Sequence, residues 1–125
     1  MAPAGHRLDG RQRVRLADIA DEDFVTVPAG FGFRRLVDEL FAAAGVAPRV
    51  SFESGDLATI EGIVGAGLGV ALLPDQFAGA SNTVGIPVAA SGAERVVGLT
   101  WRTDRVLAPP AARLLAFVRR IGPFA

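Results

Sequence analysis

Cysteine is absent from the 125-residue chain. That absence excludes disulfides, thiolate nucleophiles and zinc–thiolate sites together, and it fits a protein of the cytoplasm. Lysine is absent as well, so all 13 cationic side chains are arginine. Schiff-base chemistry, a lysine base and a Walker-type phosphate lysine are therefore excluded. Net charge is missing too, because 13 acidic residues balance the arginines. Such a chain carries no large electrostatic footprint for nucleic acid or an anionic membrane surface, and tight DNA binding by this chain alone is not expected. The opening MAPAGHRLDGRQR lacks the apolar core of a signal peptide, and no apolar run reaches the roughly 18 residues of a membrane span. The expectation is a chain neither exported nor inserted.

Histidine is reduced to His6, in a stretch read as mobile, with no HxxxH or HExxH partner for a metal. No GxSxG elbow surrounds Ser51, Ser54, Ser81 or Ser91, and the DED at 21–23 reads as a solvated turn. A general base needs both a nucleophile and an orienting group within reach, and neither is in sight for His6. The expectation is no catalytic residue, no metal and no cofactor, which leaves a small α/β enzyme the least supported reading.

What the chain does have is apolar residues in ordered patches: half of it is hydrophobic, enough for one compact core. LADIADED predicts one or two helical turns. FVTV at 24–27, β-branched and stopped by Pro28, predicts a buried strand. In FRRLVDELFAAAG, Phe33, Leu36, Val37, Leu40, Phe41 and Ala44 recur at helical spacing, with Arg34, Arg35, Asp38 and Glu39 opposite and Gly45 as the stop. RVSFES at 49–54 predicts a second strand. SGDLATIEGIVGAG predicts a second helix, capped by Ser54 or Asp56, with Leu57, Ile60, Ile63, Val64 and Ala66 on its apolar face. VALLP reads as a third, fully buried strand, DQFAG as a short helical turn, TVGIPV at 83–88 as a fourth strand and VVGLTWR at 96–102 as a fifth. APPAARLLAFVRRIG closes the chain as a helix that opens on Pro109 and Pro110 and buries Leu114, Phe117, Val118 and Ile121. Strand and helix alternate, the pattern of an α/β fold with an open mixed, mostly parallel sheet and helices on both faces.

The glycines of IVGAGLGVALLP, 63–74, invite comparison with a dinucleotide loop. That loop needs strand, GxGxxG and helix in this order, so that a pyrophosphate rests on a helix N-terminus. Here GAGLG follows a helix and precedes a strand, which places it at a helix C-terminus and makes it a stop signal. The turns VPAGFGF (27–33) and ESGDL (53–57) instead leave first-turn amides facing the cleft above the sheet, where ligands of open α/β sheets bind. Every α/β protein has such turns, so the reading as ordinary connections stays open beside the reading as a binding site. Asp56 bears on the choice, because its carboxylate can itself occupy the positive end of its helix.

The whole of SGDLATIEGIVGAGLGVALLP, 54–74, resembles the effector-domain signature of LysR-type transcriptional regulators. GHRLDG, the segment LADIADEDFVTVPAGFGFRRLVDELFAAAGVAPRVSFES and the closing LTWRTDRVLAPPAARLLAFVRR resemble that family's other segments in the right order. Departures are Arg7 after His6, Glu61 at a position often basic, Ile63 and Gly65 for leucine and alanine, and Ala108 for a serine cap. The resemblance implies a periplasmic-binding-protein-like (type 2) regulatory subdomain, with residues 1–92 as the second regulatory subdomain. Residues 93–125 would be the crossover strand and helix returning to a first subdomain that this chain lacks. It implies a non-enzymatic bacterial sensor of a small-molecule effector such as a small organic acid, working as a homo-oligomer and reaching DNA only through a winged helix-turn-helix absent from this chain. Carried over position by position, the effector half-site would be Pro28, Ala29, Gly30, Ser54, Gly55 and Asp56, with Val64 and Gly69 around them. Helix 33–44 resembles the element through which family members pair, so that Arg34 and Arg35 could be interface or solvated surface. The alternative, of another class, is a lobe of a transport solute-binding protein of the same fold.

Overall fold

A computed structural model of the chain describes residues 1–122. It comprises two compact units, Met1–Arg95 and a second that begins at Val96, and each is described by itself.

The first unit is built on β2 (Asp23–Thr26), which follows the two-residue strand β1 (Ala2–Pro3) and a 3₁₀ turn at Leu16–Ile19. Helix α1 (Gly32–Ala43) crosses over to β3 (Arg49–Glu53), which pairs parallel with β2 from Asp23↔Arg49 to Thr26↔Glu53. Two parallel strands need such a crossover, since a tight turn cannot reverse the chain twice. The register slips between Phe24 and Val25, where Ser51 is the extra residue of β3 and donates to Asp23 Oδ1 at 2.6 Å. Alternation then divides the core. Phe24 turns towards α1 and meets Phe41 edge-to-face at 5.0 Å, in a cluster with Val37, Leu40, Leu8 and Val14. Val25 and Val27 turn the other way, to Ile60 and Val64 of α2 (Leu57–Gly65). Helices cover both faces of β2, as expected of a mixed α/β fold, although Ala44 and Ala66 lie exposed rather than on the buried stripes.

The sheet is smaller than the sequence pattern suggests. Among the described residues the strands form a parallel pair, β2–β3, and an antiparallel pair, β1–β4 (Thr83–Val84), not one open sheet. VALLP reduces to a parallel bridge: Val25 N donates to Val70 O at 2.9 Å and Val70 N to Asp23 O at 2.8 Å. Both polar groups of Val70 face β2, and the next amide, that of Ala71, faces the other side and donates to the carbonyl of Met1. TVGIPV is strand only at its first two residues and touches Val14 through a bridge at Val88, since Pro87 has no amide to donate.

Both long helices of this unit stop on a left-handed glycine. After α1, the amides of Gly45 and Val46 donate to the carbonyls of Ala42 and Phe41; after α2, those of Gly67 and Leu68 donate to Val64 and Ile63. These paired bonds are Schellman caps, with Gly45 at φ +66° and Gly67 at φ +82°. The glycine run is therefore a helix stop, as its position after a helix indicated. Gly65 serves a different need, since a methyl there would collide with the carbonyl oxygen of Ser81.

In the second unit, residues 96–107 form no strand and α3 (Pro109–Ile121) buries no residue. The expected fifth strand and the expected stripe of Leu114, Phe117, Val118 and Ile121 are thus both corrected. A strand exists only through the backbone partner that pairs with it, and none is present among the described residues. The helix itself forms as the prolines predicted, with Pro109 and Pro110 in its first turn. Arg119 stacks its guanidinium over the Trp101 ring at 5.2 Å.

Candidate functional site

The carboxyl ends of β2 and β3 carry the two turns that the sequence singled out. In the first, Pro28 is half-buried and Ala29 and Gly30 are exposed, with Gly30 at φ +96°, a conformation that side chains other than glycine's resist. Phe31 is the residue before α1 and its N-cap, yet it offers no side-chain acceptor, and the first turn holds no acidic residue. The first amides of α1 therefore keep the partial positive charge of a free helix N-terminus.

The second turn is the opposite case. Ser54 N donates to Thr26 O at 3.0 Å, and Ser54 Oγ accepts from Asp56 N at 3.2 Å. Asp56 Oδ2 accepts from Thr59 N at 2.8 Å and from Thr59 Oγ1 at 2.7 Å. These bonds, that from the Thr59 hydroxyl foremost, hold the Asp56 carboxyl below the usual carboxylate range. Asp56 is the N-cap of α2 and already fills its positive end, so an incoming anion finds that end occupied.

Two contacts join the turns. A Cβ placed on Gly55 would stand 3.3 Å from Phe31 Cζ, so the Phe31 ring lies directly against the glycine. Arg34, in the first turn of α1, donates from Nη1 to the carbonyl of Val27 at 2.9 Å and to Glu53 Oε1 at 2.5 Å, and from Nε to Asp38 at 2.9 Å. Its guanidinium thus ties the ends of both strands, and Asp38 first, then Glu53, raise its already high pKa. An open cleft of about 450 Å³ lies over the first turn, lined by Ala29, Gly30, Phe31, Gly32, Arg34, Arg35 and Asp38.

Pro28, Ala29, Gly30, Ser54, Gly55 and Asp56 therefore share one end of the β2–β3 pair. Val64 and Gly69 do not. Val64 is wholly buried in the core with Val25 and Ile60, and Gly69 packs beside the carbonyl of Asp23, at the opposite end of β2. Phe31 and Arg34 are the members that pattern reading passed over as site residues. The available signal was a large apolar residue in the capping position, where serine or aspartate is the stabilising choice.

Elsewhere, His6 is held rather than mobile: its Nε2 lies 3.4 Å from Glu22 Oε1 and its Nδ1 accepts from Leu8 N. The DED segment is likewise engaged, with Glu22 on Arg7 and Asp23 on Arg49 and Ser51. No group of three acidic, cysteine or histidine side chains among the described residues could hold a metal ion.

The family described as the LysR substrate binding domain matches residues 1–122. The transcriptional dual regulator GltC of Bacillus subtilis (strain 168) is 39% identical over 121 residues, covering 94% of this chain and 40% of that protein. The uncharacterized HTH-type transcriptional regulator YybE of the same organism is 36% identical over 117 residues, covering 93% and 40%. The chain thus spans about 40% of the length of these curated relatives. Among solved structures, the effector binding domain of QuiR in complex with shikimate has a TM-score of 0.76 at 17% identity, covering 97% of this chain and 58% of that one. At that identity the likeness is one of fold.

Proposed function

This chain belongs to the LysR substrate-binding domain family, and from that membership we propose that its paired turns are one half of an effector pocket for a small organic acid. The observation that carries the proposal is the meeting of the two turns at one end of β2 and β3, joined by Phe31 on Gly55 and by Arg34 on Glu53. Beside this junction stands a helix N-terminus that no side chain caps. The half-site is Pro28, Ala29 and Gly30 with Ser54, Gly55 and Asp56. Val64 and Gly69 act on it from behind, through the core and through the approach to β2. The complex of QuiR with shikimate supports a small-molecule ligand.

On this reading residues 1–92 are the second subdomain of a type 2 periplasmic-binding-protein-like domain, and residues 93–125 cross back towards a first subdomain. The role is regulatory and non-catalytic, in the cytoplasm of a bacterium, in a homo-oligomer whose DNA contacts lie outside this chain. No helix among the described residues is long and apolar enough to cross a membrane.

The test is an amide-resolved NMR titration of the chain with millimolar small organic acids. The expected result is saturable shifts at Gly30, Gly32 and Gly55, reduced in Gly30→Val. Shifts confined to residues remote from both turns would move the pocket elsewhere.

A further inference from the structure

The cleft over the first turn presents an unusual surface for a site that takes up a polar molecule. Phe31 is 47% exposed, although large apolar side chains gain by leaving water. It also occupies the N-cap of α1, where its backbone has the extended φ and ψ that suit a serine or aspartate cap, and it leaves the cap bond unmade. The position therefore forfeits stability twice, once in solvation and once in capping. Local rules of this kind are broken where a side chain serves something other than the fold.

The surroundings show what the ring can serve. One end of it rests on Gly55, where a larger residue would push it away, so it is backed by the second turn and held at the junction of the two. Of the charged groups that line the cleft, Arg34 gives its donors to Val27 O, Glu53 and Asp38, and the exposed Arg35 lies 3.3 Å from Glu39. What a ligand meets beside the free amides of α1 is an apolar aromatic face. We infer that Phe31 determines specificity, and that the effector is an acid carrying a ring or a flat apolar portion that packs on the Phe31 ring. The inference rests on the reading of the paired turns as the effector half-site.

The test compares benzoate, cyclohexanecarboxylate and acetate in amide-resolved NMR titrations of the chain and of Phe31→Ala, Phe31→Ser and Phe31→Tyr. Loss of one aromatic packing contact corresponds to about 10-fold weaker binding of the two ring acids in the alanine and serine variants. The tyrosine variant keeps the parent affinity, and acetate binds all four proteins alike. Phe31→Ser supplies the missing cap and melts higher than the parent, so its weaker binding cannot come from unfolding. If both ring acids bind Phe31→Ala as well as the parent while still shifting Gly30 and Gly55, the specificity role is wrong and the half-site stands. If benzoate and acetate weaken together, the ring is not what Phe31 reads. If none of the acids moves those two glycines, both the role and the half-site fail.

Discussion

Thr26 is 2% exposed, and its Oγ1 has no hydrogen-bond partner. A buried hydroxyl left unpaired costs its desolvation, whereas an apolar group of the same shape does not. Thr26→Val should therefore stabilise the first unit by about 1 kcal/mol, read as a higher urea midpoint at constant m-value. A lower midpoint would mean that the hydroxyl is bonded in solution. Two glycines of α2 make a second comparison. Nothing stands within 4 Å of where a Cβ on Gly62 would be, whereas at Gly65 it meets the backbone of Ser81. Gly62→Ala should gain about 0.5–1 kcal/mol from reduced chain entropy. Gly65→Ala should cost about 2 kcal/mol or more, because backbone and not a flexible side chain must yield. Equal effects of the two substitutions would show that the loop at Ser81 gives way freely.

At the scale of elements, α2 is held by one acid at its start and another at its middle. Asp56 caps its start, and Glu61, 3% exposed, accepts from Ser81 N and from Thr83 Oγ1, each at 2.6 Å. The Ser81 and Thr83 bonds, in that order, hold the Glu61 carboxyl below its ordinary value of 4.5. A carboxyl whose folded pKa is depressed contributes stability at pH values above the unfolded pKa, and that contribution is lost as pH falls through the folded pKa. Asp18 behaves likewise, lowered from 3.8 to about 2, first by its side-chain bond with Arg15. In urea unfolding the carboxylate contribution should thus be complete above about pH 5 and decline from about pH 4.5 towards pH 2, while the buried Met1 amino group, lowered from 8.0 to about 6 by desolvation, adds a further rise in stability between pH 6 and 8. Glu61→Gln should flatten part of that decline; an unchanged acid limb would remove Glu61 from it.

The helices α1 and α2, their glycine stops and the Asp56 cap were legible in the sequence because each rests on local rules: 3.6-residue spacing, a left-handed residue, a short acceptor. Strand extent was not legible. VALLP has the composition of a buried strand, but how far it pairs depends on partners remote in the chain, Asp23 and Val25 for Val70 and Met1 for Ala71. The same holds for 96–102, whose apolar pattern names a strand without supplying a partner. In the candidate site, the turns could be read and their junction could not, since the contact of Phe31 with Gly55 spans 24 positions. Val64 is the converse case, since its family position could be read but its burial behind the turns depends on Val25 and Ile60, remote or one turn away in the chain.

At the scale of the whole molecule, the second unit leaves Val96, Val97, Leu99, Trp101, Leu114, Phe117 and Ile121 exposed. Exposed apolar side chains in this number favour association. Light scattering should therefore give a mass that rises above the 13.0 kDa of one chain as concentration increases, and a charge placed on that surface, Phe117→Glu, should return it towards the monomer. A constant 13.0 kDa from dilute to concentrated solution would show that the surface is satisfied within one chain.

β2 is hydrogen-bonded along both edges to segments that follow it in the chain, β3 on one side and Val70 on the other. During synthesis from the N-terminus, its four residues must wait for some 45 more before their second edge can close. Both turns of the candidate site grow from this strand and its first neighbour, so a nascent chain displays them before it can hold them still. The last residues to lock the site in place are thus the glycine-rich segment just past α2, at the opposite end of β2 from both turns.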